Sequence, residues 1–133
     1  MIRVPGLPCV LIVLLLSACS SGRVAPDEMV VEVQSASLPV PHRVRLEVRT
    51  AFGPTRIVQT RIPARTTTGE AATLIETACR SRGIPTRDGL PQDGERSAIR
   101  LLQGWRVVAA YVERQDETEG WVYDDSGLEL VWN

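Results

Sequence analysis

The chain has 133 residues, a net charge of −1 at neutral pH, fifteen basic residues that are all arginine, three cysteines and one histidine. A net charge near zero argues against a nucleic acid as partner, because nucleic-acid-binding domains carry a marked basic excess. The scarcity of histidine and cysteine also argues against a zinc site, which needs clustered ligands.

The first 18 residues have the three parts of a secretory signal peptide. Arg3 is the only charge, a continuous apolar run spans Val10 to Leu16, and two small residues follow. This order of charged, apolar and small residues is typical of a cleaved signal. The apolar run is too short for a membrane-spanning helix, which needs about 20 residues. We therefore predict a signal peptide over residues 1–18.

The end of this signal, Leu16-Ser17-Ala18-Cys19, resembles the lipobox of bacterial lipoproteins. In that family the signal is cut before the cysteine, whose thiol and new amino group carry acyl chains. The resemblance implies lipidation of Cys19, and several chains on one residue anchor a protein durably. Ser20, rather than an aspartate, then implies the outer membrane of a Gram-negative cell, with the protein facing the periplasm. The alternative is a secreted protein with a chance cysteine near its cleavage site.

Residues 19–42 are predicted to form a flexible tether after the lipidated cysteine. They contain Ser20-Ser21-Gly22 and Pro39-Val40-Pro41 and few aromatic residues. Met29 to Val33 is compatible with a strand, in which case the tether is shorter and the domain begins earlier. Residues 43–133 are predicted to form one domain.

Two strands and a turn open this domain. Arg43 to Thr50 alternates apolar and charged residues, which is typical of a half-buried strand. Arg56 to Ile62 forms a second strand after the Gly53-Pro54 turn. Together they predict a hairpin.

A helix follows, because the apolar period changes from two to that of a helix. Thr67 and Glu70 have the spacing of a capping box, and Gly83 is a natural terminator. An apolar stripe includes Cys79, so this cysteine is predicted to be buried and structural. The alternative is a reactive or intermolecularly paired thiol, since Cys79 is the odd cysteine of the mature chain.

The remaining chain is predicted to contain a long polar connection and several strands. Residues 86–96 are rich in turn formers, and residues 97–102 fit either a short strand or a helical turn. Trp105 to Glu113 is apolar on both faces, as expected for a central strand. Trp121 to Tyr123 and Leu128 to Trp132 are short strands joined by a tight turn.

This order of elements predicts an α+β fold, a small mixed β-sheet with one helix packed on one face, similar to a β-grasp. Glu119-Gly120-Trp121-Val122-Tyr123 and the following turn resemble the ending of the transcobalamin-type β-grasp domain. That resemblance spans residues 43–133 and implies capture of a cobalamin-like small ligand.

The sequence offers no recognisable catalytic, metal or cofactor site. His42 lies beside Pro41 and is interpreted as a solvated linker residue. The carboxylates near the end of the chain lack the spacing of a calcium loop, and no apolar setting is evident that would raise a carboxyl pKa for acid–base work. We therefore predict a protein that is not an enzyme and uses no cofactor or metal.

Charge is divided unevenly along the domain. Six arginines and one glutamate lie between residues 41 and 65, whereas seven acidic residues and one arginine lie between residue 107 and the end. Opposite charges on adjacent strands would explain this pattern. The alternative is a two-signed surface that orients a partner.

The candidate partner-binding residues are Trp121 and Tyr123, which share one face of their strand, and Asp124 and Asp125 in the turn that follows. Tryptophan and tyrosine are favoured anchors at protein interfaces. The leading hypothesis is a non-enzymatic binding module, anchored in the outer membrane through Cys19, with an envelope protein as partner. The alternatives are an assembly or structural accessory of a secretion or pilus machine, and a domain that captures a small ligand.

Overall fold

The computed structural model describes residues 25–35, 38–88, 96–123 and 127–133. These ranges contain one helix, α1 (Thr68–Ser81), and eight strands. The strands are β1 (Met29–Ser35), β2 (His42–Arg49), β3 (Arg56–Ile62), β4 (Thr86–Asp88), β5 (Arg96–Leu101), β6 (Arg106–Asp116), β7 (Gly120–Tyr123) and β8 (Leu128–Trp132). In the described part of the chain, no helix is long and apolar enough to cross a membrane.

The strands form two antiparallel sheets of four. The first sheet has the order β4-β5-β1-β8 and the second has the order β3-β2-β6-β7. The predicted α+β fold with a small mixed, β-grasp-like sheet is therefore wrong, because the molecule is mostly β. The sequence prediction placed all strands in one sheet and gave one central strand of the first sheet only as an alternative to a tether.

This strand is β1, and it confirms the alternative that Met29 to Val33 form a strand within the predicted tether. Met29, Val31 and Val33 are buried, while the residues between them face the other side. β1 pairs with β5 on one side and with β8 on the other. The folded chain thus includes residue 29 onward, and the stretch predicted as a flexible tether does not extend to residue 42.

The predicted hairpin is confirmed as β2 and β3, which pair from His42–Ile62 to Val48–Arg56. His42 is the first residue of β2 and is 1% exposed, so its interpretation as a solvated linker residue is wrong. Its Nδ1 lies 2.9 Å from the backbone oxygen of Val40. The alternating pattern of β2 begins one residue earlier than the sequence suggested, which turns this imidazole inward.

The predicted helix is confirmed together with its capping box. The Thr67 hydroxyl accepts from the Glu70 backbone N–H, and the Glu70 carboxylate accepts from the Thr67 N–H. At the other end Gly83 has a φ of +81°, a left-handed conformation that glycine adopts without strain. Cys79 is fully buried, as predicted.

One core joins both sheets and the helix. α1 packs against β3 of the second sheet and against the first sheet. The largest fully buried side chains of the core come from all these elements and from two connections: Leu38, Leu46, Ile62, Ile75, Ile84, Ile99 and Leu101. Trp105 and Trp132 are partly buried and pack against this core. The outer face of the second sheet is left to solvent.

Candidate functional site

The outer face of the second sheet gathers arginine and aromatic side chains. We call it the arginine–aromatic face and define it by six residues: Arg43, Arg45, Arg61, Tyr111, Trp121 and Tyr123. In β2 the apolar alternates are buried, which turns the two arginines of this strand outward. The antiparallel register then sets the neighbours of each arginine on β3 and β6.

One row across this sheet brings charges and rings together. Arg43 lies opposite Arg61 on β3 and opposite Glu113 on β6, and Glu113 lies opposite Tyr123 on β7. Arg43 also donates from Nε to the carboxylate of Glu113. Like charges directly opposite each other destabilise a sheet. The neighbouring carboxylate offsets part of that repulsion between the two arginines.

Trp121 reaches over this row from the edge strand β7. The guanidinium carbon of Arg43 lies 4.5 Å from the centre of the Trp121 ring, and that of Arg61 lies 5.6 Å from it. Both distances are within the range of cation–π attraction, about 6 Å, which contributes about 0.5–1 kcal/mol at an exposed site. Two guanidinium groups therefore fix one indole on the surface.

The other two rings leave more of their surface to solvent. Tyr111 is 47% exposed and Tyr123 is 70% exposed. The guanidinium carbon of Arg45 lies 5.7 Å from the centre of the Tyr111 ring. The face forms an open depression with a volume of about 730 Å³, lined by all six defining residues. Because the depression is open rather than enclosed, its shape suits an extended partner segment better than a small molecule that must be buried on most sides.

The electrostatic balance of this face is positive. Its three arginines are accompanied by Glu113 and by Glu47, which lies 3.6 Å from Arg45. Arg61 is exposed and makes no ion pair with the described residues. Guanidinium donors of this kind bind carboxylates and phosphates in a two-pronged manner.

The structure places the predicted site residues as follows. Trp121 and Tyr123 lie on one face of β7, whereas Asp124 and Asp125 lie outside the described residues, as does Cys19. Sequence reasoning missed the three arginines and Tyr111 as members of the site. The signal was present in the alternate arginines of β2, but their proximity to Trp121 depends on a strand order that the sequence did not reveal.

The structure explains part of the uneven charge of the sequence. Arg43 pairs with Glu113 across adjacent strands, as the simpler interpretation predicted. Arg43 opposite Arg61 and Arg49 opposite Arg106 instead concentrate positive charge. The surface therefore carries patches of one sign beside paired charges.

A second cluster of polar groups ties α1 to β4. The buried carboxylate of Glu76 accepts from Arg80 Nη2 at 2.6 Å and from the Thr86 hydroxyl at 3.3 Å. Burial raises the pKa of Glu76, and the nearby carboxyl of Asp88 adds to this effect. The arrangement resembles a structural tie more than a reactive centre, because its donors and acceptors are paired with one another.

No group of three histidine, cysteine or acidic side chains among the described residues is placed to hold a metal ion. Comparison with protein-family models, with curated proteins and with solved structures gives no match to this chain.

Proposed function

We propose that this protein is a non-enzymatic binding module of the bacterial cell envelope, held at the periplasmic side of the outer membrane by acyl chains on Cys19. The lipobox-like sequence before Cys19 supports the anchor. The partner is an acidic segment of another envelope protein, which binds to the arginine–aromatic face.

The observation that carries this proposal is the surface stack in which a half-buried Trp121 lies against the exposed Arg43 and Arg61. Tryptophan, tyrosine and arginine are the residue types that dominate binding energy at protein interfaces. A β-sheet holds them rigidly, so a partner does not have to order them on binding. The guanidinium of Arg61, which forms no ion pair with the described residues, selects for acidic groups over basic ones.

The alternative function is a structural accessory of an envelope machine. Such a protein would use the same surface but would stay bound to its partner for longer. The cobalamin-like ligand that the β-grasp resemblance implied has lost its basis, because the architecture differs from that fold. The acidic protein segment therefore remains the occupant that the charges and the open shape of the face favour.

The test compares charge reversal on the face with charge reversal elsewhere. Full-length lipoprotein is crosslinked in its own membranes, and the captured partner is quantified for wild type, Arg61→Glu and Arg65→Glu. Arg65 is an exposed arginine before α1 whose side chain forms no ion pair with the described residues, and it serves as the matched control. We expect Arg61→Glu to lose the partner and Arg65→Glu to retain it, while both keep the thermal unfolding midpoint of the wild type. Equal capture by all three proteins would contradict the proposal.

A further inference from the structure

The end of the second sheet that carries the β2–β3 connection has an unusual surface. Phe52, the only phenylalanine of the chain, lies in this connection and is fully exposed. A single exposed apolar side chain is ordinary in a soluble protein. Phe52 is notable because arginines lie around the connection that carries it.

Four arginines surround this connection. Arg49 ends β2 and lies opposite Arg106 at the start of β6. Arg56 begins β3, donates to the backbone oxygen of Arg82 at 2.7 Å, and lies 5.0 Å from the ring centre of Trp105. In the described part of the chain none of these four arginines forms an ion pair. We call Arg49, Phe52, Arg56, Arg82 and Arg106 the basic end.

The start of the described chain lies against the same end. The backbone N–H of Gly104 donates to the Asp27 oxygen at 2.8 Å, and Arg106 Nη2 lies 3.5 Å from the Pro26 oxygen. Of the two acidic residues in this described segment, Glu28 is held by Arg87 and Arg100, and Asp27 forms no ion pair with the described residues.

The distance between this end and Cys19 is limited by the covalent chain. Ala25 is six residues after Cys19, and an extended chain covers at most about 3.6 Å per residue, so the span is at most about 22 Å. An acylated Cys19 lies at the membrane surface. The basic end is therefore confined to the neighbourhood of that surface, and the opposite end of the sheet is not.

We infer that the basic end rests on the anionic phospholipid headgroups of the membrane that holds the anchor, with Phe52 inserted at the interface. This inference depends on the lipid anchor of the proposed function. Basic residues are attracted to anionic headgroups, and an exposed apolar ring gains by entering the boundary between headgroups and acyl chains. Both features lie at the one end that the chain brings to the membrane.

This orientation determines where the arginine–aromatic face points. β2 runs from His42 to Arg49, and at about 3.3 Å per residue Arg43 lies about 20 Å from the basic end. The second sheet then stands upright on the membrane, and Trp121 and Tyr123 are presented to the periplasm. The membrane contact holds the binding face clear of the lipid.

The test measures the immersion of a nitroxide label at each end of the sheet. Ala51→Cys places the label beside an intact Phe52, and Glu117→Cys places it in the turn after β6 at the opposite end. Acylation blocks Cys19 and burial protects Cys79, so only the introduced thiol reacts. The full lipidated chain is reconstituted in vesicles of phosphatidylethanolamine and phosphatidylglycerol.

We expect the label at position 51 to be relaxed by oxygen and shielded from a water-soluble nickel chelate, and the label at position 117 to show the reverse. Adding Phe52→Ser, or the pair Arg49→Gln and Arg106→Gln, should abolish the shielding at position 51. Flotation of the vesicles reports the anchor separately. Protein that floats with a water-exposed label at position 51 would overturn this orientation alone, whereas protein that does not float would overturn the anchor and the orientation with it.

Discussion

Trp121 stacks on Arg43 although their strands are not neighbours, because the indole on β7 crosses β6 to reach β2. The same ring lies within 5.6 Å of Arg61 on β3. One side chain thus links the two edge strands of the second sheet across its outer face. The account of function depends on this stack being both preformed and exposed.

The stack should be measurable as a coupling between its members. In a double-mutant cycle with Trp121→Ala and Arg43→Ala, we expect an interaction free energy of about 0.5–1 kcal/mol, the usual strength of an exposed cation–π pair. Urea unfolding of the four proteins gives this value. Arg45→Ala, which removes an arginine that contacts Tyr111 instead, should couple to Trp121→Ala less strongly. Equal coupling for both arginines would show that the stack is not specific.

Cys79 should behave as a buried structural thiol. Cys79→Ser should lower the free energy of unfolding by about 1–3 kcal/mol, because it places a hydroxyl on the buried side of α1. Cys79→Ala should cost less, since alanine brings no polar group into the core. In the native protein, Cys79 should react with a thiol reagent only as fast as the structure around it unfolds. Rapid labelling with unchanged stability in Cys79→Ser would contradict the buried position.

The same residue gives a pH dependence at alkaline pH. Burial raises the pKa of Cys79 from its ordinary value of about 9 to about 11. The folded protein therefore holds this proton more tightly than the unfolded chain does. The resulting stability is complete below pH 9 and is lost as the pH rises towards 11. The advantage of wild type over Cys79→Ala in urea unfolding should shrink across that range, and a constant difference would contradict it.

Glu76 should make the stability of the protein depend on pH in the acidic range. Its pKa is raised chiefly by burial, so the folded state favours the protonated carboxyl relative to the unfolded state. Stability from this group is present at a pH below its ordinary pKa of about 4.5 and is lost as the pH rises through the folded value. Glu76→Gln keeps a hydrogen-bond acceptor for Arg80 and removes the buried charge. We expect the free energy of unfolding of Glu76→Gln to rise relative to that of wild type between pH 4 and pH 7. A relative fall over the same range would show that the ion pair with Arg80 outweighs the cost of burial.

The lipid anchor has a direct genetic test. Cys19→Ala should leave an unacylated precursor, because lipoprotein processing requires the cysteine. Metabolic labelling with a radioactive fatty acid and the mobility of the product in a gel give the result. Ser20→Ala is the matched control and should be processed as wild type. A membrane-bound and normally processed Cys19→Ala protein would contradict the lipoprotein interpretation.

Local signals in the sequence predicted the local structure well. The capping residues Thr67 and Glu70 identify the start of α1, and the alternating pattern of β2 identifies its buried side. These features are set by neighbours along the chain. β6 is confirmed as a central strand, because it lies between β2 and β7. Its apolar residues are not all buried: Tyr111 lies opposite Arg45 on the outer face, and Val108 lies at a bulge opposite Glu47 and Val48.

The fold class was missed because sheet membership depends on partners distant in the chain. β1 is flanked by residues typical of a linker, so a strand there was only an alternative, yet it lies between β5 and β8 at the centre of the first sheet. Once this strand is counted, the strands divide into two sheets. The site was predicted in part for the same reason. Trp121 and Tyr123 were evident as a pair, whereas Arg61 joins them only through the strand order β3-β2-β6-β7.

The central claim is that the arginine–aromatic face binds an envelope protein, and site-specific photocrosslinking tests it most directly. A photoreactive phenylalanine analogue is placed at Tyr123 on this face or at Val131, which is 41% exposed on β8 of the first sheet. After irradiation of living cells we expect a discrete adduct from position 123 that disappears when Arg61→Glu is added, and none from position 131. The claim would be contradicted by adducts from position 131 alone, or by adducts from position 123 whose amount does not change when Arg61→Glu is added.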